Sequence, residues 1–85
     1  MKSFNYTITD AQGIHARPAG LFVKVATGFK SAVSIAKDEK EADAKRIFGI
    51  MGLGIKQGEQ IVVSASGEDE DQAVTALESF LKENL

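Results

Sequence analysis

From Phe4 to Thr9 apolar and polar side chains alternate, with Phe4, Tyr6 and Ile8 set against Asn5, Thr7 and Thr9. A period of two belongs to a strand with one buried face. Asp10-Ala11-Gln12-Gly13 has the composition of a turn or loop. The period then lengthens. From Ala16 to about Phe29, the residues Pro18, Ala19, Phe22, Val23, Val25, Ala26 and Phe29 share one broad arc at helical spacing, and Gly28 reads as the stop signal. Ala32 to Lys37 carries Val33 and Ile35 on one face, a second strand. Asp38-Glu39-Lys40-Glu41 is a charged turn, and Lys40 to Asp43 fits a short edge strand whose charge discourages pairing with other chains.

The second half repeats the alternation of element types. Ala44 to Leu53 predicts a short helix weakened by Gly49 and Gly52, and Gly54 to Gly58 a loop. Gln60 to Ser66, centred on Ile61-Val62-Val63, is the clearest strand of the chain, and Gly67 breaks it. Asp69 to Leu85 closes as a helix. Ala73, Val74, Ala76, Leu77, Phe80, Leu81 and Asn84 lie on one side of it, with Asp71, Thr75, Glu78 and Lys82 opposite. Acidic residues at its start and Lys82 near its end suit the helix dipole. The order strand, helix, strand, strand, helix, strand, helix predicts an α+β fold, with helices covering one face of a largely antiparallel sheet.

Length and composition narrow the classes. Eighty-five residues are expected to form one domain, residues 1–85, with one modest core. There is no cysteine and only one histidine, which removes disulfides, thiol nucleophiles and multi-histidine metal sites; neither metal nor cofactor is expected. A net charge of −2 argues against a nucleic-acid binder, which needs a basic face. No segment approaches a membrane span, and Met1 to Tyr6 lacks the apolar core of a signal peptide, so a cytoplasmic protein without direct membrane contact is expected. A monomer is expected from the size and from the absence of a long apolar seam.

The candidate chemistry lies in Gly13-Ile14-His15-Ala16-Arg17-Pro18-Ala19. Pro18 suits the first turn of a helix, where its fixed φ helps and its missing N–H costs little. His15 then sits at the positive end of the helix dipole, beside N–H groups that lack intrahelical partners, with the Arg17 guanidinium close by. Such a junction cradles an anion against an imidazole, and a neutral imidazole is a nucleophile. The plain alternative is a surface or capping histidine. With no P-loop, no glycine-rich nucleotide fingerprint and no paired carboxylates, the phosphoryl group would have to come from another protein.

These residues carry a family resemblance. Gly13 to Ala19 resembles the phosphorylation-site signature of HPr, the histidine-containing phosphocarrier family of the bacterial sugar phosphotransferase system. Ile50-Met51-Gly52-Leu53-Gly54-Ile55 with Gln57-Gly58 resembles a second family segment. Ser64-Ala65-Ser66-Gly67-Glu68-Asp69-Glu70 resembles the join between the family's last strand and last helix. The likeness spans essentially the whole chain. It implies an open-faced β-sandwich of order βαββαβα, a four-stranded antiparallel sheet under three helices. It also implies a carrier rather than an enzyme. His15 would accept a phosphoryl group on Nδ1 from phosphorylated enzyme I and pass it to IIA domains of sugar permeases, with Arg17 neutralising the phosphate.

A docking surface is expected beside that site. Arg17, Gly20, Leu21 and Lys24 project from the face of the first helix opposite the core, and Leu21 is apolar where solvent is expected. The short helix holds Ile47, Phe48, Ile50, Met51 and Leu53, more apolar surface than one face buries unless the helix is well covered. The resemblance assigns Ile47, Phe48 and Met51 to a partner-binding patch, with Ile50 and Leu53 pointing inward. Ala16, Gly20, Leu21 and Lys24 complete the candidate docking set. Gly20 stands where a larger small residue is often found, and Gly49 is expected to loosen the short helix. Arg46 occupies the place of a regulatory serine carried by many members; it has no hydroxyl to phosphorylate and the opposite charge. Two rival readings remain: a paralogue in a nitrogen-related or regulatory phosphorelay, and an interaction module that is never phosphorylated. An acyl carrier fits poorly, because no serine opens a helix in an acidic, apolar setting.

Overall fold

The computed structural model describes residues 1–85. It contains β1 (Lys2–Thr7), α1 (Ala16–Thr27), β2 (Ala32–Lys37), β3 (Lys40–Asp43), α2 (Ile47–Gly52), β4 (Gln60–Ser66) and α3 (Glu70–Asn84). The strands form one antiparallel sheet in the order β1-β4-β2-β3, so the most apolar strand is interior and the charged β3 is an edge. The expected α+β open-faced sandwich is the architecture found.

Register follows the alternation read from the sequence. Ile35 pairs with Val63, and Phe4 with Val63 on its other side, so one face of three strands carries a continuous apolar row. Ile35, Ile61, Val63 and Ala65 are buried under the helices, against Phe22 and Ala26 of α1, Ile50 of α2, and Ala73, Leu77 and Leu81 of α3. Phe22 and Phe80 meet between α1 and α3 with ring centroids 5.9 Å apart, tilted by 59°. The Tyr6 hydroxyl donates to the Leu81 carbonyl at 3.1 Å, tying the edge strand β1 to α3. The opposite sheet face, with Asn5, Ser34, Val62 and Ser64, has no helix over it.

Several boundaries differ from the sequence expectation, each for a local reason. The β1 ladder stops at Thr7, although Ile8 is fully buried and its N–H still bonds Glu59 O. The first helix ends at Thr27, and Gly28 has φ −73°, so no left-handed glycine terminates it. The exit instead tightens through Gly28 N–H to Val25 O and Phe29 N–H to Ala26 O. The short helix begins at Ile47, not Ala44. Ala44 is buried and its N–H continues the strand pairing to Val33 O, while the Asp43 carboxylate takes the Lys45 N–H at 2.9 Å. That Asx-type turn holds Lys45 and Arg46 outside the helix. Asn84 is exposed and does not join the core; its side-chain amide donates to Phe80 O, and Leu85 is the buried residue at that end.

Two loops depend on glycine. Gly13 has φ +66°, and a Cβ there would lie 2.3 Å from Ile55 O and 2.7 Å from the Lys56 Cα. Gly67 has φ +153°, and a Cβ would meet Ser31 Oγ at 2.7 Å. At this second contact the Asp69 carboxylate accepts bonds from the Lys30 N–H, the Ser31 N–H and the Ser31 hydroxyl. The clasp joins the α1–β2 loop to the start of α3.

Gly13→Ala is expected to destabilise the fold by about 2 kcal/mol or more, since left-handed strain and backbone contact add; urea unfolding reads this directly. The Asp69 clasp makes a pH prediction. Its three hydrogen bonds, led by that from the Ser31 hydroxyl, hold the carboxyl down at about 2, below its ordinary 3.8. A lowered folded pKa contributes stability above the unfolded value, and that contribution is lost as pH falls through the folded one. The fall in wild-type stability from about pH 4 to pH 2 should therefore be steeper than that of Asp69→Asn over the same window.

Candidate functional site

Gly13 determines where the site emerges. Its N–H bonds Asp10 O at 2.9 Å, closing the turn, and the next N–H, that of Ile14, bonds Ile55 O at 3.2 Å. Ile14 then buries its side chain, and His15 is turned outward as the N-cap of α1, at φ −98° and ψ −178°. Its carbonyl accepts the Ala19 N–H at 3.0 Å, the first bond of the helix. Pro18 lies in the first turn as expected and brings no N–H, which leaves those of Ala16 and Arg17 at the helix start without intrahelical acceptors.

The imidazole makes no hydrogen bond, to the helix or to any other group, and its side chain is 39% exposed. The one acidic group within 4.0 Å of the ring is the Asp10 carboxylate, with Oδ1 4.0 Å from Nε2. Asp10, His15, Arg17, Pro18, Leu21 and Asn84 line a shallow recess of about 220 Å³. Arg17 is exposed and has no acidic partner, so its guanidinium is available to an incoming anion. A larger depression of about 630 Å³ borders β2, β3 and β4, shares no residue with this recess and contains no histidine.

The predicted docking residues divide into two kinds. Leu21 and Met51 are 42% and 40% exposed, and Phe48 is 86% exposed. Ala16 and Lys24 are exposed, whereas Ile47 and Gly20 are half-buried. Gly20 faces Ile47 across the contact between α1 and α2, where an added Cβ would lie 3.6 Å from Ile47 Cδ1, an ordinary contact. Ile50 and Leu53 point into the core, as expected. Gly49 does not simply loosen α2: a Cβ there would stand 3.3 Å from the Ala42 side chain, so the glycine lets the helix lie close on β3. Phe48, Met51 and Leu21 thus stay in solvent, on helices that meet at Gly20 and Ile47, and Leu21 also lines the His15 recess.

Residues 2–83 match the family model described as the PTS HPr component phosphorylation site. The chain belongs to the HPr family of phosphocarrier proteins. It is 49% identical over 83 residues to the phosphocarrier protein HPr of Lysinibacillus sphaericus, covering 98% of this chain and 94% of that one. The crystal structure of HPr-C-His from Thermoanaerobacter tengcongensis superposes with a TM-score of 0.94 at 43% identity, over 98% of this chain and 93% of that chain. A crystal structure of an HPr dimer from the same organism matches with a TM-score of 0.78, again at 43% identity, over 98% and 95% of the two chains. HPr-family membership makes this a phosphocarrier protein of the phosphotransferase system, a carrier rather than a catalyst.

Two residues at the recess were not singled out from the sequence as site residues. Asp10 was read only as part of a turn, and Asn84 as part of an apolar helix face; neither spacing shows that the turn and the last helical turn converge on His15. Phe48→Glu should leave the unfolding free energy within about 0.5 kcal/mol of wild type, because the ring is almost fully in solvent. A large loss of stability in a urea titration would show instead that the ring is needed by the core.

Proposed function

We propose that the chain accepts a phosphoryl group on His15 from phosphorylated enzyme I and hands it to IIA domains of sugar permeases. The observation that carries this is an unbonded imidazole at a helix start, sharing one recess with an unpaired arginine. In the proposed step the Nδ1 lone pair attacks phosphorus as the bond from phosphorus to the donor breaks, and the electron pair of that bond leaves with the donor. Arg17 and the free N–H groups at the start of α1 offset the phosphoryl charge. The recess is open and shallow, so the group is not sequestered, which suits a protein that must give it up again.

Leu21, Phe48 and Met51, with Ala16, Gly20, Lys24 and Ile47 around them, form the proposed docking surface for both partners. An apolar patch beside the phosphoryl site lets donor and acceptor use the same contacts in turn. Residues 1–85 are proposed to act as one cytoplasmic domain, and as a monomer in transfer, since a partner must reach the recess and the patch together. Arg46 is proposed to remove serine-based control: it is the exposed N-cap of α2, 3.9 Å from the Asp43 carboxylate, and carries no hydroxyl.

Incubation with enzyme I and phosphoenolpyruvate, followed by intact mass, tests the reading. One acid-labile phosphate is expected on the wild type and none on His15→Ala, with the variant's stability lower by less than about 1 kcal/mol because the ring makes no capping bond. Failure of a competent enzyme I to load the wild type would favour the regulatory paralogue or the interaction module. Arg17→Ala should still accept phosphate but about tenfold more slowly, with stability within about 0.5 kcal/mol of wild type, as read by quenched time courses and urea unfolding.

A further inference from the structure

His15 has two ring nitrogens, and only one can attack. In the neutral ring one nitrogen holds the proton and the other the lone pair, and the group facing the protonated nitrogen selects the tautomer. Here the group facing Nε2 is a carboxylate. Asp10 Oδ1 lies 4.0 Å away, and no other acidic group comes within that distance of the ring nitrogens.

Asp10 is not a loose surface charge. Its N–H donates to Leu85 O at 3.1 Å, its carbonyl accepts the Gly13 N–H, and its Oδ1 accepts the Gln12 N–H at 2.8 Å. The neighbouring Thr9 is held to the same oxygen of Leu85 by both its N–H and its hydroxyl, each at 2.7 Å. Backbone and side chain are therefore held in the orientation that faces the carboxylate toward the imidazole. The separation is longer than a hydrogen bond, but the imidazole is free of other bonds and such contacts commonly tighten only in the reacting complex.

We propose that Asp10 is a positioning residue for phosphoryl acceptance: its carboxylate favours the proton on Nε2 and so leaves the Nδ1 lone pair bare. The proposal rests on the phosphocarrier reading above. When Nδ1 forms its bond to phosphorus and the donor takes the electrons of the broken bond, Nε2 keeps its proton and the ring becomes an imidazolium. Asp10 then faces that positive charge, while Arg17 and the helix start face the phosphoryl oxygens. The two ends of the phosphorylated ring are thus matched by opposite charges. No added acid, base or co-reactant is needed, because the proton that balances the step never leaves Nε2.

The test is Asp10→Asn, which keeps an oxygen to accept the Gln12 N–H and so preserves the turn. The oxygen that faces Nε2 is the one that accepts the Gln12 N–H, so in the variant it becomes a neutral amide oxygen and the charge that favours a proton on Nε2 is lost. Ring nitrogen chemical shifts of His15 in the neutral state, measured by NMR on the wild type and the variant, report the tautomer without any phosphoryl transfer. The expected result is a predominantly Nε2–H ring in the wild type and a shift toward Nδ1–H in Asp10→Asn. Phosphoryl acceptance from enzyme I should slow by about three- to fivefold, the range of a partly exposed charge pair. Equal ring shifts in the two proteins would overturn the proposal even where both are phosphorylated. Altered ring shifts with equal acceptance rates would overturn it as well, because the tautomer would then have no part in transfer. If the wild type takes no phosphate at all, the phosphocarrier reading falls first and the role of Asp10 falls with it.

Discussion

The approach of the Gly13 backbone to Ile55 is the constraint on which the site depends. A turn that has just left β1 must press against the loop leading into β4, with no room for a side chain between them. Ile14 N–H to Ile55 O and Gly58 N–H to Ile8 O lock the two loops on either side of that contact. Ile14 is thereby driven into the core and His15 out of it, at the N-cap of α1. Helix and histidine are positioned by the same contact, so the donors at the helix start and the imidazole have a fixed relation before any ligand arrives.

The remaining framework keeps that relation rigid. The Phe22–Phe80 contact holds α1 against α3, and the Asp69 clasp joins the far end of α1 to the start of α3. Lys37 does the same for the other side of the molecule: its ammonium lies 3.0 Å from Glu59 and donates to the carbonyls of Leu53 and Gly54 after α2. That bond, with the Lys56 N–H, holds the Glu59 carboxyl below its ordinary value. The elements that carry His15 and Phe48 are pinned at their ends, while the two side chains themselves are left without partners. A carrier needs this combination. Its reactive ring must be presented in one place, yet must not be buried or bonded so well that a donor or an acceptor cannot reach it.

Most of the fold was legible because its periods are clean. The alternation in Gln60 to Ser66 and the helical arc from Pro18 to Ala26 each admit one burial pattern, and its charge marks β3 as an edge; the order β1-β4-β2-β3 rests on long-range pairing that no local pattern shows. What was not legible came from side chains competing with the backbone or from long-range convergence. Asp43 takes the Lys45 N–H and delays α2 to Ile47, against the helical composition of Ala44 to Arg46. Gly49 looked like a helix weakener, yet it is placed where α2 lies against Ala42. At the site, the pairing of His15 with Arg17 was local and readable. Asp10 and Asn84 reach the same recess from a turn and from the last turn of α3, and no local pattern joins those segments. The exposure of Phe48 followed from the family resemblance rather than from its neighbours, since Ile50 two positions on is fully buried.

The central claim is that the ring of His15, freed by the Gly13 turn, is the atom-level acceptor. The most direct measurement is a phosphorus–nitrogen correlation by NMR on the nitrogen-15-labelled chain after loading by enzyme I and phosphoenolpyruvate. The account predicts one phosphorus nucleus coupled to His15 Nδ1. Phosphorus coupled to Nε2, or phosphate carried on a serine, would contradict it.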